Sequence, residues 1–327
     1  MRRFLFASLY LLLLNGCALN RAPVWQQAGT ERVTANTASL LAAAHECMAS
    51  AANGAMVDRC IELYEAVLKD NPASYRALAD LASLYTLKGT AYSSSGKEKS
   101  ANFATAMDRA ELAMYTNAAF KAQVDAGRQP WEAADTLGAE EVEAMFMWVT
   151  ALQYEFKEGM SFPSKVRNID WMQHALVFLN RIEQVRPEYG GGAVEFAKGI
   201  CYSVLPESRG GSDALAEKYM QKAVERSDGW LLPRWARGKY YYPVKGQQQA
   251  AKHIMLSELF DHFAKWPFDK GVPCRALVVR LQRGAKRLPA AHRLQQRWPC
   301  HAGNGGFQSE QSFISFPGIV VSGHFPH

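Results

Sequence analysis

The residues that could do chemistry are few, and they form no recognisable catalytic set. His45, Glu46 and Cys47 are adjacent on a predicted helix, where neighbouring side chains point in different directions and cannot converge on one atom. His174 stands alone on another predicted helix, which is typical of a partly buried core histidine. The sequence has no His-Glu-x-x-His zinc motif, phosphate-binding glycine loop or serine nucleophile elbow. We therefore predict no catalytic residue, no metal and no cofactor.

The amino terminus carries an export signal. Arg2 and Arg3 precede an apolar run from Phe4 to Leu14, which is too short for a permanent span of about 20 residues. The next residues, up to Cys17, resemble the lipobox at which bacterial lipoproteins are acylated and cleaved. We predict a signal peptide at 1–16, lipidation of Cys17 and a short lipidated tether at 17–30. The alternatives are an ordinary secretory peptide cut further along, or a chance cysteine.

The predicted destination is the periplasm, because Ala18 after the lipidated cysteine implies, by the same resemblance, anchoring to the outer membrane. An oxidising compartment permits disulfides. Cys47 and Cys60 lie symmetrically about Asn53-Gly54, the predicted turn of a helical hairpin, so they face each other across its arms. They form either a disulfide or two small buried thiols.

Helical periodicity recurs through the chain in four predicted hairpins. The second helix of each carries a triad of core positions spaced four residues and then three residues apart. The four triads are Cys60, Tyr64 and Val67; Ala106, Ala110 and Ala113; Ala175, Leu179 and Ile182; and Ala216, Met220 and Ala223. Ser212 is a candidate N-cap for the last of these helices, and Gly199 in the helix before it would let a neighbour approach closely.

This pattern resembles tetratricopeptide repeats, in which helical hairpins stack on one another. Insertions break the period at 93–97, 127–138 and 206–211, which disfavours a regular superhelix. We predict an all-α fold in which irregular tetratricopeptide-like hairpins, over residues 31–266, stack into a right-handed bundle or superhelix.

The carboxyl-terminal part is basic. Nine Lys and Arg residues face Asp269 alone between Lys265 and Trp298, a net charge of +8, so the rest of the +6 chain carries −2. We predict a basic helical segment at 267–300 and a loose tail at 301–327. Its basic face contacts either solvent or anionic lipid headgroups, whereas nucleic acid is excluded for an exported lipoprotein.

The combined features resemble the T component of tripartite ATP-independent periplasmic (TRAP) transporters, the TatT family. The residues that carry this resemblance lie within about 38–266: Arg186-Pro187-Glu188-Tyr189-Gly190, the paired glycines Gly210-Gly211, and Ala236-Arg237-Gly238-Lys239-Tyr240-Tyr241. The resemblance implies a lipid-anchored bundle that forms a homotrimer and docks the periplasmic solute-binding P component. It also implies a hydrophobic passage for an apolar ligand. The basic segment departs from the acidic or apolar end that the family leads us to expect.

A passage of this kind requires large apolar side chains on inward faces. The candidates are Trp148, Phe156, Phe196 and Tyr202, which we predict to line it. Two other functions compete with a non-catalytic transport component. One is a tetratricopeptide scaffold lipoprotein in outer-envelope assembly, which needs a groove for a peptide or helix. The other is a hydrolase, which titratable residues of perturbed pKa in a cleft would indicate.

Overall fold

A computed structural model describes residues 19, 21–32, 34–227, 236–243, 245–247 and 249, which contain helices and no strand. This confirms the all-α class. The α-helices are α1 (Ala35–Ser50), α2 (Gly54–Asp70), α3 (Tyr75–Leu87), α4 (Gly96–Tyr115), α5 (Ala118–Asp125), α6 (Val142–Tyr154), α7 (Phe162–Arg167), α8 (Trp171–Val185), α9 (Ala193–Val204) and α10 (Asp213–Glu225). The predicted signal peptide 1–16, the lipidation site Cys17, the basic segment 267–300 and the tail 301–327 lie outside the described residues.

The longer helices pack in chain order as hairpins. Helix α1 packs on α2, α3 on α4, α6 on α8, and α9 on α10, while α2, α4 and α8 each contact the first helix of the next pair. The short helices α5 and α7 lie in the connections. None of the described helices combines the length and hydropathy that crossing a bilayer requires.

The core triads explain why these pairs stack. Every one of their side chains has 0% exposure, from Cys60 in the first pair to Ala223 in the last. In the last triad, the small Ala216 and Ala223 let the backbones approach, and the larger Met220 between them fills the gap. Gly199 works in the same way, because a Cβ there would lie 2.8 Å from the Met220 methyl on α10.

Caps decide where several helices begin. Ser212 accepts a hydrogen bond from the Leu215 amide at 3.2 Å, as the sequence predicts. The helical spacing around the second triad predicts one helix over about 98–123, and this prediction is wrong, because the structure divides the stretch into α4 and α5. There Asn117 Oδ1 accepts bonds from the Ala119 and Phe120 amides, both at 3.0 Å, and so starts a new helix.

Two helices end in π-helical turns, Lys88–Tyr92 after α3 and Glu155–Gly159 after α6. Both turns pack against α4. A π-helical turn is wider than an α-helical one, because each backbone bond spans one residue more. The second turn carries charged side chains toward a third π-helical turn at Arg237–Tyr241.

The segment before α1 packs onto the bundle. The Arg21 guanidinium donates to Asp108 Oδ1 at 2.6 Å and to Glu111 Oε1 at 3.1 Å, both on α4. Trp25, in a short helical turn, packs against the main core. The amide of Leu19 donates to Asn168 Oδ1 at 2.6 Å. The predicted tether is therefore docked along the part that the structure describes.

Candidate functional site

Two side chains that could react, His174 and Cys201, are packed against other residues in the structure. His174 stacks on Trp131 with ring centroids 3.8 Å apart, and burial lowers its pKa. The Cys201 thiol is fully buried, and burial raises its pKa to about 12, so it is a poor nucleophile at neutral pH. Within the described ranges, no group of three or more His, Cys, Asp or Glu residues is placed to hold a metal ion.

His45 belongs to a charged network that joins three helices. Its Nε2 lies 3.3 Å from Oδ2 of Asp80, which is completely buried. Arg76 binds both Asp80 and Glu143, the latter at 2.8 Å, and so ties α3 to α6. Although burial opposes it, hydrogen bonds from His45 and Arg76 hold the pKa of Asp80 below its usual value. The network therefore ties α1 and α6 to α3.

Cys47 and Cys60 are joined in the structure by a disulfide between α1 and α2. The two cysteines lie on either side of the turn at Asn53, whose side chain caps α2. The bond therefore closes the first hairpin covalently. The lipidation of Cys17, by contrast, stays a prediction.

The four predicted ligand-lining residues fall into two groups. Trp148 and Phe156 are buried in the main core, where Trp148 Nε1 donates to Glu111 Oε1 at 2.8 Å. Phe196 and Tyr202 are half-buried on α9 and pack against a second apolar cluster. The structure does not bring all four to one surface, and their ligand-lining role stays a prediction.

Phe196 takes part in an aromatic cluster that the structure assembles from four distant segments. We define the aromatic cluster as Phe103, Tyr154, Phe196 and Tyr240. Ring centroids are 5.9 Å apart for Phe103 and Tyr154, and 6.4 Å apart for Phe196 and Tyr240. Burial raises the pKa of both tyrosine hydroxyls, which are hydrogen-bonded to each other. Phe103 is buried, while the other three residues are half-buried.

Lysines surround the aromatic cluster. The Lys157 ammonium lies 3.6 Å from the centre of the Tyr240 ring, and the Lys239 ammonium lies 5.1 Å from it. Burial lowers the pKa of both lysines. Glu158 accepts hydrogen bonds from Lys99 at 2.6 Å and from Lys157 at 3.4 Å, so it supplies a countercharge to these two lysines. Cations over ring faces, next to half-buried aromatic residues, suit a ligand with an apolar body and an acidic group.

A second charged network holds the last hairpin against α8. Glu195 and Lys198 on α9 are each only 1% exposed. Glu195 accepts from Arg226 at 2.6 Å, while Glu183 on α8 accepts from Lys198 and, at 2.6 Å, from Lys222. Three successive helices are thus joined by charge-assisted hydrogen bonds.

A separate pocket of about 240 Å³ lies between the amino-terminal segment and the turn after α5. Its walls include Pro23, Trp25, Val124 and Arg128. None of the four predicted ligand-lining residues contributes to it.

Sequence reasoning missed most of these polar contacts. Glu111 is buried between Arg21 and Trp148, and burial raises its pKa against the effect of Arg21. The sequence does give one indication of Glu111, because this acidic residue lies among the core positions of its helix, one residue after Ala110 and two before Ala113. Nothing local to the sequence indicates that Arg21, 90 residues away, supplies the countercharge.

Comparison with known proteins adds one finding about the chain as a whole. A family model described as TRAP transporter T-component matches residues 53–289, well over half of the chain. The match includes α2 to α10 and extends into the basic segment, beyond the stretch at 38–266 that carried the resemblance. No curated protein matches the chain.

Proposed function

The chain belongs to the TRAP transporter T-component family, and from that premise we propose that it docks a periplasmic solute-binding protein as a lipid-anchored, non-catalytic component. The family match over 53–289 is the observation that carries this proposal. Acyl chains on Cys17 would hold the protein on the periplasmic face of the outer membrane. As the sequence resemblance implies, the working assembly is a homotrimer.

We further propose that the aromatic cluster receives an apolar ligand. The half-buried residues Tyr154, Phe196 and Tyr240 would offer ring surface, whereas Trp148 is enclosed by core side chains. Lys157 and Lys239 would bind an acidic group on the ligand, because a partly desolvated ammonium gains more from a countercharge than a solvated one does.

The docking proposal is tested by capture. Protein produced with its own leader and extracted in mild detergent is used to capture partners from periplasmic extract, and its mass is measured in parallel. We expect a TRAP-type solute-binding protein among the captured partners and a trimeric mass for the captured protein. Capture of envelope-assembly proteins by a monomer would instead support the alternative, a tetratricopeptide scaffold lipoprotein.

The ligand proposal is tested by extracting small molecules from the purified protein into organic solvent and identifying them by mass spectrometry. Phe196→Ser should reduce the recovered apolar compound, because it removes ring surface from the aromatic cluster. Val177→Ser is the matched control, since Val177 is 40% exposed on α8. Equal recovery from both variants would remove the ligand role of the aromatic cluster while leaving docking untouched.

A further inference from the structure

Helix α7 exposes an unusual apolar face. Phe162 is 78% exposed and Val166 59% exposed, which makes them the most exposed large hydrophobic side chains in the part of the chain that the structure describes. They are four residues apart, so they lie on the same side of the helix. Paired exposed apolar residues of this kind mark a surface that meets a partner or a membrane.

The same helix and the turn before it are basic. Lys157, Lys165 and Arg167 face Glu158 as the one acid between residues 157 and 167, which gives this stretch a net charge of +2. Arg167 is exposed, and the Lys165 ammonium donates one hydrogen bond to the Lys157 carbonyl at 3.1 Å, which leaves further donors on that ammonium. Apolar side chains with flanking cations match the chemistry of a phospholipid surface.

The position of the amino-terminal segment indicates which occupant this face meets. The Leu19 amide donates to Asn168, the residue that caps the carboxyl end of α7. Cys17 lies two positions before Leu19, and two residues span at most about 7 Å. Helix α7 has six residues and is about 9 Å long. Acyl chains on Cys17 would therefore enter the bilayer next to Phe162 and Val166.

We propose that α7 is a membrane-contacting element that fixes the orientation of the bundle on the bilayer. Phe162 and Val166 enter the boundary between headgroups and acyl chains, while Lys165 and Arg167 contact lipid phosphates. The docked Arg21 keeps the segment between the anchor and the bundle short, so the bundle cannot turn this face away. This inference rests on the lipid anchor of the proposed function, and it is independent of transporter docking.

The test uses the lipidated protein in vesicles of phosphatidylethanolamine and phosphatidylglycerol. Mass spectrometry first establishes acylation of Cys17. An environment-sensitive fluorescent amino acid then replaces Phe162, or Val177 as the control, by stop-codon suppression. We expect a blue-shifted emission at position 162 that lipids with a nitroxide near the headgroup quench, and unchanged emission at position 177.

A second measurement separates the surface from the anchor. The full mature chain with Cys17→Ser is mixed with the same vesicles, and its partitioning is compared between Phe162→Ser/Val166→Ser and Val177→Ser/Val204→Ser. We expect the first pair to weaken partitioning at least about tenfold, since each side chain loses most of its transfer from water, and the second pair to leave it unchanged.

Three outcomes would overturn the inference. If the emission at position 162 of the acylated protein reports a water environment, α7 faces away from the bilayer. An unmodified Cys17 would remove the anchor from which the placement is argued. Shielding of position 162 without vesicles, as protein concentration rises, would assign the face to contact between copies of the chain.

Discussion

The hairpins from α1 to α8 and the final hairpin α9–α10 differ in how far charge pairs supplement apolar packing. The first region encloses one continuous apolar core that includes Trp148 and most of the triads. Helix α9 and its carboxyl end continue this core through Val194, Ala197, Cys201 and Leu205, and α10 adds a small cluster in which Ala216 and Met220 pack with Tyr241 and Tyr242. Charged side chains then join the final hairpin to α8 through Glu183.

This difference bears on two separate properties, the free energy of folding and the position of the last hairpin. Buried apolar area supplies most of the free energy of folding, whereas a buried charge pair gains little net energy once its desolvation is counted. Charge pairs do, however, require one geometry. We therefore expect substitutions in the first region to change global stability, and substitutions in the second to change how the last hairpin sits beside the aromatic cluster.

The largest effect is expected from Trp148→Ala in the first region. The substitution removes a fully buried indole from contact with Phe178, at a ring distance of 5.0 Å, and should lower the free energy of unfolding by about 4 kcal/mol. Urea unfolding followed by circular dichroism measures it. Val177→Ala, at an exposed position, is the control and should change the value by less than about 0.5 kcal/mol. Similar losses in both variants would contradict a dominant apolar core.

Loss of the disulfide is the next largest change. Cys47→Ala/Cys60→Ala releases a loop with a sequence separation of 13 residues, which should lower the free energy of unfolding by about 3 kcal/mol. In reductant the parent protein and the double variant should unfold at the same urea concentration. A difference that persists under reduction would mean that packing of the two side chains, and not the bond, accounts for the loss.

A smaller and more local effect is expected from Lys198→Met in the last hairpin. The substitution removes a charged hydrogen bond to Glu183, and we expect a loss of about 2 kcal/mol. Hydrogen exchange should rise in α9 and α10 and stay unchanged in α2. The control is Arg59→Met at the exposed Arg59 and Glu62 pair, which should change stability by less than about 0.5 kcal/mol. An equal rise in hydrogen exchange across all helices would contradict a local effect confined to the last hairpin.

The smallest expected effect is on the dependence of stability on acidic pH. Against the effect of burial, hydrogen bonds from Lys198 and Lys222 lower the pKa of Glu183 from 4.5 to about 2. A carboxyl whose pKa is lower in the folded chain than in the unfolded chain stabilises the folded state at pH values above its unfolded pKa. This stabilisation is lost as the pH falls from 4.5 to about 2. Glu183→Gln should therefore destabilise the protein at neutral pH and converge with the parent near the bottom of this range. Glu62→Gln, at an exposed site, should show no such convergence.

The sequence predicted the fold well where the information is local. Triad residues such as Tyr64 and Leu179 are recognisable because spacing within one helix reports its buried face. The break at Asn117 was missed, because a continuous apolar pattern conceals a side chain that competes for backbone amides. The π-helical turn at Glu155–Gly159 has no periodic signature of its own.

The candidate site was only partly predictable for a related reason. Periodicity placed Trp148 and Phe196 on inward faces, yet it could not say that one enters the main core and the other the aromatic cluster. That assignment depends on how Arg237–Tyr241 returns to α6 and α9. Contacts between segments so far apart, such as Phe196 with Tyr240, follow from tertiary packing alone.

The contact of Arg21 with Asp108 and Glu111 would also set an order of events during the proposed export. On the proposed route of export, Arg21 would leave the translocation channel early, because its partners follow 87 and 90 residues later. Until α4 has emerged, the amino-terminal segment has nothing to dock on. The enzymes proposed to acylate and cleave at Cys17 would therefore first meet a chain whose amino-terminal segment is not yet docked.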